Sequence, residues 1–194
     1  MKNRILALIQ IVLPLFFFLA IFIPREVVLI KIISVLARYN TTYFVPITSI
    51  LLFLALIIKK RWVSNLATAI VVYSLFALSL VGLWASAYSE NFVIAGLLPR
   101  SDAFYTYTGA VHLIEKGLLN DFASRRPIFG GLLAFILWLF GGNLQLALIS
   151  LALLSATACY FFTIEVKRLL SPLAVVALFI VQFLFVRRFI GITI

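Results

Sequence analysis

One cysteine, Cys159, and one histidine, His112, are all the thiol and imidazole in this 194-residue chain. A lone thiol excludes an intramolecular disulfide, and no second Cys or His stands at ligand spacing to make a zinc set. Charge is scarce too, since Asp, Glu, Lys and Arg make up 11% of residues, against about 25% in soluble domains. Acids are the scarcest, six against sixteen Lys plus Arg, for a formal net charge of +10. No glycine-rich phosphate loop, nucleotide fingerprint or nucleophile triad stands between the apolar runs. Cys159 lies inside "LALLSATACYFF" and reads as a small core hydrophobe.

What fills the chain is apolar: 65% hydrophobic residues and a mean hydropathy of +1.22. This composition predicts an all-α polytopic membrane protein whose main partner is the lipid bilayer. The basic balance then fits anionic headgroups and the positive-inside bias, and nucleic acid is excluded as a partner. A helix needs about 20 apolar residues to cross a hydrocarbon core of roughly 30 Å. Six stretches come near that length: residues 5–23, 43–58, 63–87, 128–140, 144–166 and 173–190. The first exceeds the 7–15 residues of a signal-peptide core and is followed by no small-x-small site, so it is expected to be retained. Between the first two, "EVVLIKIISVLARYN" carries Lys31 and Arg38 and reads as an interfacial amphipathic helix.

Basic residues set the expected orientation. Lys2 and Arg4 flank the first run and "KKR" at 59–61 separates the second from the third, which places both on the cytoplasmic side. Residues 88–127 then lie outside and Arg187 and Arg188 inside, while Arg25, Arg38, Lys167 and Arg168 fall outside against the rule. The expected location is an integral membrane protein of the bacterial inner membrane with a cytoplasmic N-terminus. Residues 1–194 read as one membrane domain, and because "VQFLFVRRFIGITI" stops just beyond a span, as the N-terminal part of a longer chain.

The outside loop, about 88–127, holds four of the six acids: Glu90, Asp102, Glu115 and Asp121. Helical spacing organises "SDAFYTYTGAVHLIEKG" within it. Phe104, Tyr107, Val111, Ile114 and Leu118 form an apolar line, suited to the bilayer surface, while Asp102, Tyr105, Gly109, His112 and Lys116 form a line toward water. Ser101 is the expected N-cap and puts Asp102 in the first turn, where its charge suits the positive end of the helix dipole. That role alone would explain Asp102. A second one is suggested by "ASRRPIFGG", where Arg125 and Arg126 precede the next apolar run and Pro127 preorganises its first turn.

Arginine grips phosphate oxygens with a planar fork of donors, so the pair can hold a lipid phosphate as well as anchor a helix at the interface. A carboxylate and a phosphate clamp facing each other over a membrane suit transfer of a phosphate-linked group to a hydroxyl. Asp102 would take the hydroxyl proton, or hold a divalent metal such as Mg or Mn that does equivalent electrostatic work. His112 shares the Asp102 line and is either a site residue or an ordinary polar-face residue. Glu165 is expected to pair locally with Lys167 or Arg168, and Trp84 and Tyr88 to belong to an aromatic belt.

Over about residues 85–170 the order of apolar span, "RSDAFYTYTGAVHLIEKGL" and "SRRPIFGGLLAFILWLFGGNLQLAL" resembles the amino-terminal module of GT-C class membrane glycosyltransferases, near the protein mannosyltransferases and aminoarabinose transferases. By that resemblance Asp102 takes the essential acidic position of the first outside loop. Tyr105, Ala110 and Gly117 fall in the pattern around it, and Arg126-Pro127 takes the place of the family's Lys/Arg-Pro. The resemblance implies transfer of a sugar from a polyprenyl-phosphate-linked donor to an unidentified acceptor, with inversion, on the extracytoplasmic face. Asp102 is then the candidate catalytic residue, with Arg125, Arg126, Tyr105 and His112 as candidate substrate contacts. The rival expectation is a non-catalytic membrane protein, a transporter or lipid-binding subunit, or an inactive fragment. A transporter should carry ionisable groups at mid-membrane depth, and none of the six runs does so clearly.

Overall fold

A computed structural model describes residues 2–23, 26–86, 89 and 93–189, with side chains over 9–23, 26–86, 89 and 93–187. Its helices are α1 (Lys2–Phe22), α2 (Val28–Tyr39), α3 (Thr41–Ile57), α4 (Arg61–Ala85), α5 (Asp102–Lys116), α6 (Pro127–Leu139), α7 (Leu144–Val166) and α8 (Pro172–Phe189). A two-stranded antiparallel hairpin, β1 (Val93–Ile94) and β2 (Leu98–Pro99), and a single 3-10 turn at Ala123–Arg125 lie between α4 and α6. The expected all-α class holds.

Helix α4 is the axle of the fold. It is apolar all round, as a helix surrounded by neighbours must be, and it touches α1, α2, α3 and α7. Its 25 residues give a length of about 37 Å, and the 23 residues of α7 about 34 Å. These two are the described helices long and apolar enough to cross a membrane, and the bent pair α2 and α3 makes a third if it counts as one span. The packing centre is aromatic. Phe183 of α8 stacks 5.9 Å from Phe179, meets Phe76 of α4 edge-on at 5.2 Å and lies 5.9 Å from Phe44 of α3. Cys159 is buried, as expected of a small core hydrophobe.

Side-chain pairs give each helix its direction. Tyr73 of α4 meets Thr157 of α7 at 2.9 Å, hydroxyl to hydroxyl, and nine residues earlier Ser64 accepts a 2.5 Å bond from Lys167, just past the end of α7. Helix α7 is therefore antiparallel to α4. Helix α1 runs parallel to α4, with Phe18 against Tyr73 and Phe22 against Trp84. Because α4 ends where α7 begins, α5 and α6 leave and rejoin the bundle at the same end.

This corrects the expected order of six crossings. Helix α6, at 13 residues, is only about 20 Å long and does not carry the chain from one end of the bundle to the other. The consequence for charge is direct. Lys167 and Arg168 join the Lys59-Lys60-Arg61 end, instead of lying opposite it. Arg187 lies at the far end, where its guanidinium donates to the Ala37 carbonyl at 2.6 Å while Arg38 donates to the Arg187 carbonyl at 2.5 Å.

The segment expected as an interfacial amphipathic helix is α2, and it meets α3 at 99°. It is amphipathic in the inverted sense: Ser34, Ala37 and Arg38 are buried while Val28, Leu29 and Ile32 are exposed. Polar groups turn inward where the surroundings are apolar and hydrogen-bond partners lie inside. Gly82 of α4 makes the contact possible, because a Cβ there would sit 2.1 Å from the Ser34 carbonyl oxygen.

Candidate functional site

The candidate site begins at the hairpin that follows α4. Its turn carries Ala95 and Gly96 at φ of 49° and 74°, the left-handed region that favours glycine. At Gly96 the absence of a side chain also lets the turn press on the end of α4, since a Cβ would lie 2.4 Å from the Leu83 carbonyl oxygen. Strand β2 then runs through Arg100 to Ser101, whose φ of 54° and ψ of −130° are again unfavourable for a non-glycine residue. Such backbone strain costs on the order of 1–3 kcal/mol and persists only where the surroundings over-determine it. The expected capping bond of Ser101 is not formed, because its side chain bonds no amide of α5.

Asp102 opens α5 as expected and is half-buried. Among the described residues no hydrogen bond or ion pair engages its carboxylate, although Thr106 donates to its backbone carbonyl at 2.9 Å. It sits at the positive end of the α5 dipole, which attracts its charge.

The segment after α5 folds back on the helix, and Asn120 holds it there. Its Nδ2 donates to the Tyr105 carbonyl at 3.0 Å and to Thr108 Oγ1 at 3.3 Å, and its Oδ1 accepts from the Ala123 amide at 2.8 Å. Gly109 provides the room, for a Cβ there would meet the Ala123 Cβ at 2.4 Å. The Tyr105 ring lies 5.4 Å from that of Phe122. This docking carries Arg125 and Arg126 to the same helical unit as Asp102. Both arginines are exposed, and among the described residues neither guanidinium has a protein partner. Arg126 takes the N-cap position of α6 with Pro127 in its first turn, as the Arg-Pro pair suggested.

The structure thus gathers Tyr105, Arg125 and Arg126 on one unit opened by Asp102, and no ion pair ties the acid to the bases. His112 stands apart from Asp102, ten residues or about 15 Å further along the helix axis; its Nδ1 is enclosed without a hydrogen bond. Gly109, placed by spacing on the water-facing line, is instead buried with Ala103 and Ala110. The apolar line is exposed at Phe104, Ile114 and Leu118, as a bilayer-facing side requires. Glu165 pairs with Arg168 at 2.8 Å at the opposite end of the bundle. Glu90 and Tyr88 lie outside the described residues.

Asn120 is the residue that spacing did not single out. In "GLLND" it reads as an ordinary turn residue, and nothing local announces a bond to a carbonyl fifteen positions earlier. As for a divalent cation, no group of three or more His, Cys, Asp or Glu gathers among the described residues. Among the described residues Asp102 is therefore not part of such a group. Comparison with family models, with curated proteins and with solved structures finds no match.

Proposed function

We propose that the chain is the amino-terminal membrane part of a GT-C-like inverting glycosyltransferase, which moves a sugar from a polyprenyl-phosphate-linked donor to an acceptor hydroxyl. The observation that carries this reading is the partnerless carboxylate of Asp102. It opens α5 directly behind the strained Ser101, on the unit that also presents two uncommitted guanidinium groups, Arg125 and Arg126.

In the proposed reaction Asp102 accepts the acceptor hydroxyl's proton as that oxygen attacks the anomeric carbon from the side opposite the phosphate. The bond from the anomeric carbon to the phosphate oxygen breaks, and polyprenyl phosphate leaves with the electron pair. Arg125 and Arg126 stabilise the charge that gathers on its oxygens. The α5 unit faces the extracytoplasmic side of a bacterial inner membrane, with the Lys59-Lys60-Arg61 end and the N-terminus in the cytoplasm. Lys167 and Arg168 join that same end while Arg38 and Arg187 lie at the other, so the orientation rests on the short Lys59-Lys60-Arg61 connection between α3 and α4.

The test is Asp102→Asn in the longest natural form of the protein, reconstituted with labelled donor. Removing a general base should lower transfer by about 10²–10⁴-fold, with insertion and expression unchanged. Arg126→Ala should weaken binding of a polyprenyl phosphate. Normal transfer by Asp102→Asn would end the assignment of Asp102 as base; no transfer by the unaltered protein, together with impaired lipid binding by Arg126→Ala, would establish the rival reading, a lipid-binding subunit.

A further inference from the structure

A cavity of about 280 Å³ opens at the end of the bundle where the hairpin emerges. It is bordered by the start of α2 and the residues just before it, the last turn of α4, the hairpin turn and the first turn of α7, and it is open to solvent beside Glu26. Backbone contacts hold these segments around the space: α2 lies on Gly82, and the hairpin turn presses on Leu83 through Gly96. Its lining combines polar side chains, Glu26, Lys31 and Gln145, with apolar ones, Val81, Trp84, Ala85 and Leu97. The volume lies just below the usual range of small-molecule pockets, about 300–1,000 Å³. It suits a single ring and is too small for a nucleotide or a lipid tail.

The wall selects the ligand further. Glu26 and Lys31 are joined at 2.7 Å, so an ion would have to compete with that pair to enter. What remains is a carboxylate that accepts hydrogen bonds, an ammonium that donates them and an amide that does both, facing an indole and aliphatic carbon. A compact neutral molecule with hydroxyls on one side and C–H bonds on the other fits this division.

We infer that the cavity binds one neutral sugar ring, with its hydroxyls on Glu26, Lys31 and Gln145 and its C–H face toward Trp84. This inference rests on the glycosyl-transfer reading and deepens it, because Leu97 at the cavity, in the hairpin turn, lies five residues ahead of Asp102, with β2 between them. The ring belongs either to the lipid-linked donor or to a sugar acceptor. The chemistry of recognition is the same for both.

The test is saturation-transfer NMR on the full chain in nanodiscs with methyl glucoside, methyl mannoside and methyl galactoside. At least one should bind saturably. Leu97→Trp, a change on the exposed hairpin turn that fills the mouth, should abolish that binding, and Gln145→Leu should weaken it by about tenfold; Leu97→Ala should retain it and shows that the turn tolerates substitution. Absence of binding by all three glycosides, or binding indifferent to Leu97→Trp, would overturn the inference. Displacement of the glycoside by a farnesyl-phosphate-linked hexose, but not by farnesyl phosphate, assigns the site to the donor. Simultaneous binding of glycoside and hexosyl lipid assigns it to the acceptor. Neither Asp102 nor Arg126 lines the cavity. If binding persists while Asp102→Asn transfers normally, the sugar site stands and the catalytic reading falls. If Asp102→Asn is inactive while no glycoside binds, the reverse holds.

Discussion

Replacing Asn120 by Ala removes two side-chain bonds that hold residues 117–126 against α5, those to the Tyr105 carbonyl and the Thr108 hydroxyl, and a third, from the Ala123 amide, that shapes the segment itself. Each contributes about 0.5–1 kcal/mol net at a site open to water on one side, the lower part of the usual range. The two that reach α5 sum to roughly 1–2 kcal/mol, which raises the undocked population by about five- to thirtyfold. Asn120→Asp keeps the acceptor for the Ala123 amide and loses both donor bonds, so it should undock at least as far as Asn120→Ala. Hydrogen exchange in nanodiscs reads this directly through the Ser124 and Arg126 amides, which bond to the carbonyls of Asn120 and Ala123. Faster exchange there, with α7 unchanged, is expected. A parallel loss of affinity for polyprenyl phosphate should follow, because docking is what places the two arginines. Identical exchange in wild type and Asn120→Ala would refute the argument and leave the docking to the Tyr105–Phe122 and Gly109–Ala123 contacts alone.

Three further outcomes follow from the packing and the charge. Gly82→Ala puts a Cβ 2.1 Å from the backbone oxygen of Ser34; α2 must shift, at a cost of about 1–3 kcal/mol, and thermal unfolding should show it, whereas Gly131→Ala, with open space around it, should not lower the melting temperature. Burial, and secondarily the nearby Arg61 guanidinium, hold the Lys167 ammonium below its usual 10.5. The unfolded chain therefore binds the extra proton between that lowered value and 10.5, so stability from this group rises with pH across that window, and the neutral amine still donates to Ser64; Lys167→Gln should flatten the rise, and parallel pH profiles would contradict the assignment. Ser101→Gly relieves a φ of 54° and sacrifices no capping bond, so it should stabilise the fold by about 1 kcal/mol; a lower melting temperature would mean that the hydroxyl has a role the geometry does not reveal.

Local chemistry was legible wherever one segment decides its own structure. The run from Leu144 to Val166 is both the expected span and the observed α7, because a long apolar stretch between "GGN" and "KR" admits little else. Gly141 and Gly142 supply two left-handed residues, φ 59° and 83°, and Asn143 caps the helix through the Leu146 amide at 3.1 Å. The start of α5 at Asp102 and the Arg126-Pro127 entry to α6 were legible for the same reason.

Other features depended on which surface a neighbour offers. Periodicity assigned Gly109 to a line of α5 but could not say that Ala123 and Asn120 would cover it. The amphipathic pattern of α2 was visible, yet its inversion required Gly82 on α4 and carbonyl partners for Arg38. An apolar run as short as α6 reads alike whether it crosses a membrane or rests beside the bundle, and that ambiguity misplaced Arg187, Lys167 and Arg168. Hydrophobicity and spacing report how a residue relates to its own helix. Direction, depth and docking are relations between helices, and here they were decided by close backbone approach at glycines and by hydrogen bonds between residues as far apart as Arg38 and Arg187.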